Sequence, residues 1–188
     1  MKIIAALLAV AALGLGAAAL WYWEPWADDG SSPAELAEEV EDPAGDYSGS
    51  ACRRLAGVTA KLAEDDPAPV PYLIAVGRAG AGIRPGSRAF ADLARGGRNT
   101  IPGRGFLARF DDGTAGQVRH FSGIVAATAI GGGAATRLIS VFVRDDPEDS
   151  PDGRLTDAAI AFADSVVQGE LEPGQASRWV LDNLCRRR

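Results

Sequence analysis

His120 is the only histidine in the chain, and imidazole chemistry has nowhere else to reside. It lies within Gln117-Val118-Arg119-His120-Phe121, with Asp111, Asp112 and Ser122 close in sequence. A neutral imidazole beside a carboxylate can act as a general base, and a helix N-terminus favours the neutral form. His120 with Asp111 or Asp112 is therefore the candidate set for a cell-envelope hydrolase. A single histidine without a matching motif more often serves structure, bonding a loop carbonyl and packing on Phe121. Gly-x-Ser-x-Gly and His-Glu-x-x-His are both missing from the sequence. One histidine and two cysteines that pair with each other make no usual zinc site. The sequence implies no metal and no cofactor.

Gly77-Arg78-Ala79-Gly80-Ala81-Gly82 invites comparison with a phosphate-binding loop. Its spacing is Gly-x-x-Gly-x-Gly, Arg84-Pro85-Gly86 follows where a helix should begin, and no Walker lysine is present. A flexible or close-packed loop is the expectation over 77–86. Asp145, Asp146, Glu148, Asp149 and Asp152 crowd a second loop. Calcium favours such oxygen donors, but the spacing is not that of an EF-hand, so a solvated loop is expected.

The strongest charge feature is the run Arg78, Arg84, Arg88, Arg95, Arg98, Arg104 and Arg109, with Asp92 the only acid between its ends. Guanidinium groups form bidentate bonds to phosphate and carboxylate. Three anionic partners fit: lipid headgroups, an acidic polymer of the envelope, or the chain's own acidic linker. A membrane-protein partner docking on the same face is a further possibility.

Cys52 and Cys185 fall in predicted helices at opposite ends of the domain. Outside the cytoplasm an even pair reads as a disulfide. It would close a loop of more than a hundred residues and contribute about 4–5 kcal/mol in the chain-entropy model.

The elements that must position these residues begin with an apolar run over 3–23, preceded by Lys2 and followed by Glu24. As a helix it reaches about 31 Å, near the hydrocarbon thickness of a bilayer. Trp21, Tyr22, Trp23 and Trp26 stand at its far end, where aromatic rings favour the headgroup level. Lys2 before the run and Glu24, Asp28 and Asp29 after it orient the N-terminus inward, with the remainder outside. Residues 1–23 are expected to be a signal-anchor or transmembrane helix. Small residues at 17–19 leave a cleaved signal peptide as the alternative, with a secreted or periplasmic product.

Residues 24–46 carry nine acids and no Lys or Arg. Such a segment is an acidic linker, extended by self-repulsion. The domain over 47–188 reads as helices at 50–64, 87–95, 114–130, 136–144, 156–169 and from Pro173 onward. Residues 72–76 read as a short strand or an extended buried segment. Expected caps are Ser87, Thr114 with Gln117 as a capping box, and Thr156. Phe90 and Leu93 are expected to point inward. The irregular stretch 96–113 still holds Ile101, Phe106, Leu107 and Phe110, so it is expected to pack on the core. The apolar 114–130 helix is expected to be central.

These elements predict a mainly α chain: an anchor helix, then a compact all-α extracytoplasmic domain of about five helices with one short strand as an option. Net charge is −6, which excludes broad nucleic-acid binding. No convergent catalytic set assembles, so the leading expectation is a membrane-tethered, non-catalytic binding or accessory domain. The alternatives are the His120 hydrolase and a disulfide-stapled structural subunit of a membrane complex.

Overall fold

The computed structural model describes residues 49–143, 147 and 149–187. The anchor expected at 1–23 and the acidic linker expected at 24–46 lie outside these residues. Among the described residues no helix is long and apolar enough to cross a membrane.

Among the described residues the fold is made of seven α-helices. They are α1 (Ala51–Lys61), α2 (Pro69–Ala81), α3 (Arg88–Ala94), α4 (Gln117–Gly131), α5 (Gly133–Val143), α6 (Pro151–Val167) and α7 (Ala176–Asn183). Short 3-10 turns at Ala108–Phe110 and Pro173–Gln175 complete it. No strand occurs among the described residues, and a mainly α domain is what the sequence predicts.

α4 is central, as its apolar faces predict. It packs against α2 and α6 on two sides and touches α1 and α5 as well. Val118, Phe121, Val125 and Ala126 are fully buried. From Phe121 a tilted aromatic chain runs to Phe162 at 5.5 Å and on to Trp179 at 5.0 Å, joining α4, α6 and α7. Such pairs add roughly 0.5–1.5 kcal/mol beyond burial of their area.

The main correction concerns α2. Residues 72–76 are helical rather than extended, and the expected loop at 77–86 is helical as far as Ala81. Pro69 and Pro71 start the helix, where a missing N–H costs nothing. Gly77 and Gly80 are not loop glycines. They let the α2 backbone approach α4, because a β-carbon at Gly77 would overlap that of Ala126 and one at Gly80 would overlap Ser122. With this helix the six helical segments read from the sequence become seven among the described residues, against the expected total of about five.

Three caps also differ. Ser87 makes no capping bond, and α3 begins without one. α4 starts at Gln117 after Gly116, so Thr114 is not its cap. α6 starts at Pro151 with Ser150 as cap, its hydroxyl accepting from the Gly153 N–H at 2.9 Å. Thr156 therefore sits inside α6, fully buried. Pro173 opens a 3-10 turn, not the last α-helix itself.

The irregular stretch after α3 does pack on the core. Ile101, Phe106 and Phe110 are buried. Leu107 N–H donates to Leu184 O at 2.7 Å and Arg186 N–H to Gly105 O at 2.8 Å, around an antiparallel bridge between Phe106 and Cys185. Beside it the Cys52–Cys185 disulfide joins α1 to the end of α7. Gly105 is needed there: its φ is +120°, and a β-carbon would overlap Ser50.

Candidate functional site

The arginine run divides into anchored and outward-facing members. Arg84 and Asp92 form a clamp. The carboxylate accepts from Arg84 N–H at 3.0 Å, from Nε at 2.9 Å and from Nη2 at 2.7 Å. These bonds hold the Asp92 carboxyl well below its ordinary value, down to about 2, with the Arg84 side-chain bond as the largest cause. The clamp closes the loop between α2 and α3 and fixes α3 against the body. Arg104 Nη2 donates to Gly113 O, and Arg109 donates to Asn183 O at 3.2 Å while lying 4.6 Å over the Phe110 ring. These two bind loops to the domain.

Arg88, Arg95 and Arg98 are different. All three are exposed, and their side chains make no hydrogen bond or ion pair among the described residues. Arg78 lies half-buried in the last turn of α2. Asp92, the one acid in the run, is engaged by Arg84 and nearly buried, at 9% exposure. Asp92 also feels the charge of Arg95, so one carboxylate faces both Arg84 and Arg95.

α3 presents this charge in an ordered way. At about 100° per residue, Ala89, Asp92 and Leu93 share one side. Ala89 and Asp92 are buried there, and Leu93 packs against Ala81, Ile83 and Ala126. Turning outward, Phe90, Ala91 and Ala94 form one flank and Arg88 and Arg95 the other. Phe90 is 55% exposed, so the expectation that it points inward is overturned. The i, i+3 pair that α3 buries is Ala89 with Asp92, and the larger ring of Phe90 faces solvent. Arg88 stands at the first helical position, where the macrodipole disfavours a cation.

The imidazole of His120 goes elsewhere. His120 is 8% exposed, and its Nε2 lies 2.8 Å from the Thr156 hydroxyl of α6. That hydroxyl is 3.3 Å from the Ser140 hydroxyl of α5. His120 Nδ1 is 4.0 Å from the Asp152 carboxylate in the first turn of α6. Hydroxyl, imidazole and carboxylate thus meet, from three helices. Thr156 is at 0% exposure inside a helix, so its oxygen has no room for an acyl group. The network ties α4, α5 and α6 together.

The carboxylates adjacent in sequence serve the loop before α4. Asp111 pairs with Arg186 at 2.8 Å and accepts from Gly113 N–H at 3.0 Å. Asp112 accepts from Thr114 N–H at 2.7 Å, from the Thr114 hydroxyl at 3.0 Å and from Gln117 Nε2. Burial works to raise the Asp112 pKa, but these bonds and the nearby His120 outweigh it, and the net shift is downward. Neither carboxylate forms a hydrogen bond with the imidazole.

Of the acidic loop, Asp145, Asp146 and Glu148 lie outside the described residues. Asp149 offers its backbone carbonyl to Arg154, and Asp152 belongs to α6. Among the described residues no group of acids, histidines or cysteines could hold a metal ion.

Sequence reasoning missed Thr156 and Ser140 as partners of His120, since they lie in other helices. It also missed the outward Phe90. The pattern Ala89–Asp92 could have signalled it, had a paired aspartate been weighed as buriable. No family model, no curated protein and no solved structure matches this chain.

Proposed function

We propose that this chain is a non-catalytic binding module, held at a membrane by residues 1–23, that takes anionic ligands on α3 and the loop following it. One observation carries the proposal. Arg88, Arg95 and Arg98 are exposed and make no hydrogen bond or salt bridge among the described residues, in a run whose single acid is clamped by Arg84 and faces Arg95 as well. Charge elsewhere supports it. Of 25 acids nine fall in 24–46, and of 19 basic residues one is Lys2, which leaves 18 basic against 16 acidic residues over 47–188. The chain's net −6 therefore conceals a domain of slight positive charge whose positive pole is the arginine run. Guanidinium groups there offer bidentate bonds to phosphate, sulfate or carboxylate.

The test is retention of the full-length chain, in detergent micelles, on a dextran-sulfate resin. The unaltered protein should elute at a higher salt concentration than R88E/R95E/R98E, because the contact is electrostatic and screened by salt. Identical elution of the two, with both folded by circular dichroism, overturns the proposal.

A further inference from the structure

We infer that the exposed side of α3 is an interface for an anionic bilayer surface, on which the domain lies down beside its own anchor. The inference rests on the reading of α3 as an anion-binding face and names its partner.

Charge alone would suit any polyanion. Phe90 does not. A ring 55% exposed beside Ala94 gains nothing from a soluble polysaccharide polyanion. At a bilayer surface the same ring enters the acyl boundary while Arg88 and Arg95 stay at the phosphates. α3 has the required split: an apolar flank of Phe90, Ala91 and Ala94 beside a basic flank of Arg88 and Arg95, all exposed, with no acid among them. The Arg84–Asp92 clamp keeps the helix in place while its outer side is engaged.

The weakness of so small a face is consistent with a tethered domain. Each arginine near an anionic surface contributes about 1 kcal/mol, too little to recruit a protein from solution. Attached to the bilayer, the domain needs no recruitment. The acidic segment expected over 24–46 is short enough to keep the domain close to its expected anchor. The domain itself has a radius of gyration of about 14 Å. Its surface is thus held at high effective concentration next to lipid.

The experiment is hydrogen exchange by mass spectrometry on the full-length chain in nanodiscs. One set is phosphatidylcholine; the other contains a third phosphatidylglycerol. Amides of 88–98 should exchange more slowly in the anionic discs alone, and high salt should remove the difference. F90A should lose part of that protection. R88A/R95A should weaken the association on the order of tenfold or more. Both variants change exposed side chains, and an unchanged melting temperature verifies their folding. Equal exchange of 88–98 in the two disc types overturns the inference. If that equal exchange is slow, and substitution of Glu35, Glu38, Glu39 and Glu41 by Gln releases it, the acidic linker is the occupant; anion binding by α3 then stands without the bilayer. Equal fast exchange together with failure on the resin removes both.

Discussion

Gly80 of α2 and Ser122 of α4 approach so closely that a β-carbon on Gly80 would stand 2.6 Å from that of Ser122. The Ser122 hydroxyl, buried in the same contact, has no hydrogen-bond partner among the described residues. Two opposed effects decide what alanine does at position 80. A helix gains about 1 kcal/mol when glycine becomes alanine. Overpacking a tight contact costs about 1–3 kcal/mol. The overlap is with a β-carbon as well as a hydroxyl, so overpacking should win. G80A is expected to lower the urea midpoint, and G80A/S122G to recover part of the loss. A neutral or stabilising G80A would mean that α2 and α4 are farther apart than described.

The Arg84–Asp92 clamp gives a pH signature. Asp92 titrates at about 2 in the folded chain, below its ordinary value of 3.8. A depressed carboxylate pKa contributes stability that is complete above the ordinary value and fades as pH falls toward the folded one. The fading should therefore occur between about pH 4 and pH 2. D92N removes this contribution at every pH. The stability difference between wild type and D92N should be roughly 1–2 kcal/mol at pH 6 and shrink as pH falls through that window. Urea titrations at pH 6, 4 and 2.5 measure it. A difference that stays constant with pH would show that the carboxylate charge is not what holds α3.

The sequence reveals what depends on neighbours in the chain and hides what depends on distant partners. Residues 118–125 announce the central helix, because it is apolar on most faces. The helix read from residue 50 is α1, with Ser50 just before it as its cap. Residues 72–76 were ambiguous for a physical reason: a short apolar run has no period to read. Gly77 and Gly80 look like loop formers until α4 is seen against them. Thr156 looks like a cap until Ser150 takes that role, which frees Thr156 to meet His120. The two cysteines were legible by elimination, each being the only candidate for the other. Phe90 faces solvent because Asp92, salt-bridged to Arg84 eight residues earlier, occupies the inner side of α3, a pairing that local spacing does not show.

His120 and Thr156 form a contact whose loss separates a structural role from a chemical one. T156V keeps the volume of the side chain and deletes the hydroxyl, leaving His120 Nε2 and the Ser140 hydroxyl without that partner. An unsatisfied buried polar group costs about 1–3 kcal/mol. T156V should lower the melting temperature accordingly while leaving retention on dextran sulfate unchanged, since the network does not include the exposed arginines. Differential scanning calorimetry and the resin assay together check this. Lost retention with unaltered stability would place the network in the binding surface.

The Cys52–Cys185 bridge closes the longest covalent loop available to the domain, with a sequence separation of 133. Constraining the unfolded chain over that length is worth about 5 kcal/mol in the entropy model. C52A/C185A should therefore lose about 4–5 kcal/mol, a large share of the 5–15 kcal/mol typical of a domain. The loss should be uneven. Leu107 and Arg186 bond across the Phe106–Cys185 bridge, and without the disulfide only these backbone bonds and side-chain packing keep the end of α7 on the loop. Amides of 105–107 and 184–186 should then exchange before those of α4. Both cysteines are buried, at 0% and 3% exposure, so a membrane-impermeant thiol reagent should label neither in the native protein even after brief reductant. Labelling should appear only under denaturant, in step with unfolding. Uniform loosening of all helices in C52A/C185A would show instead that the bridge acts on the unfolded chain alone.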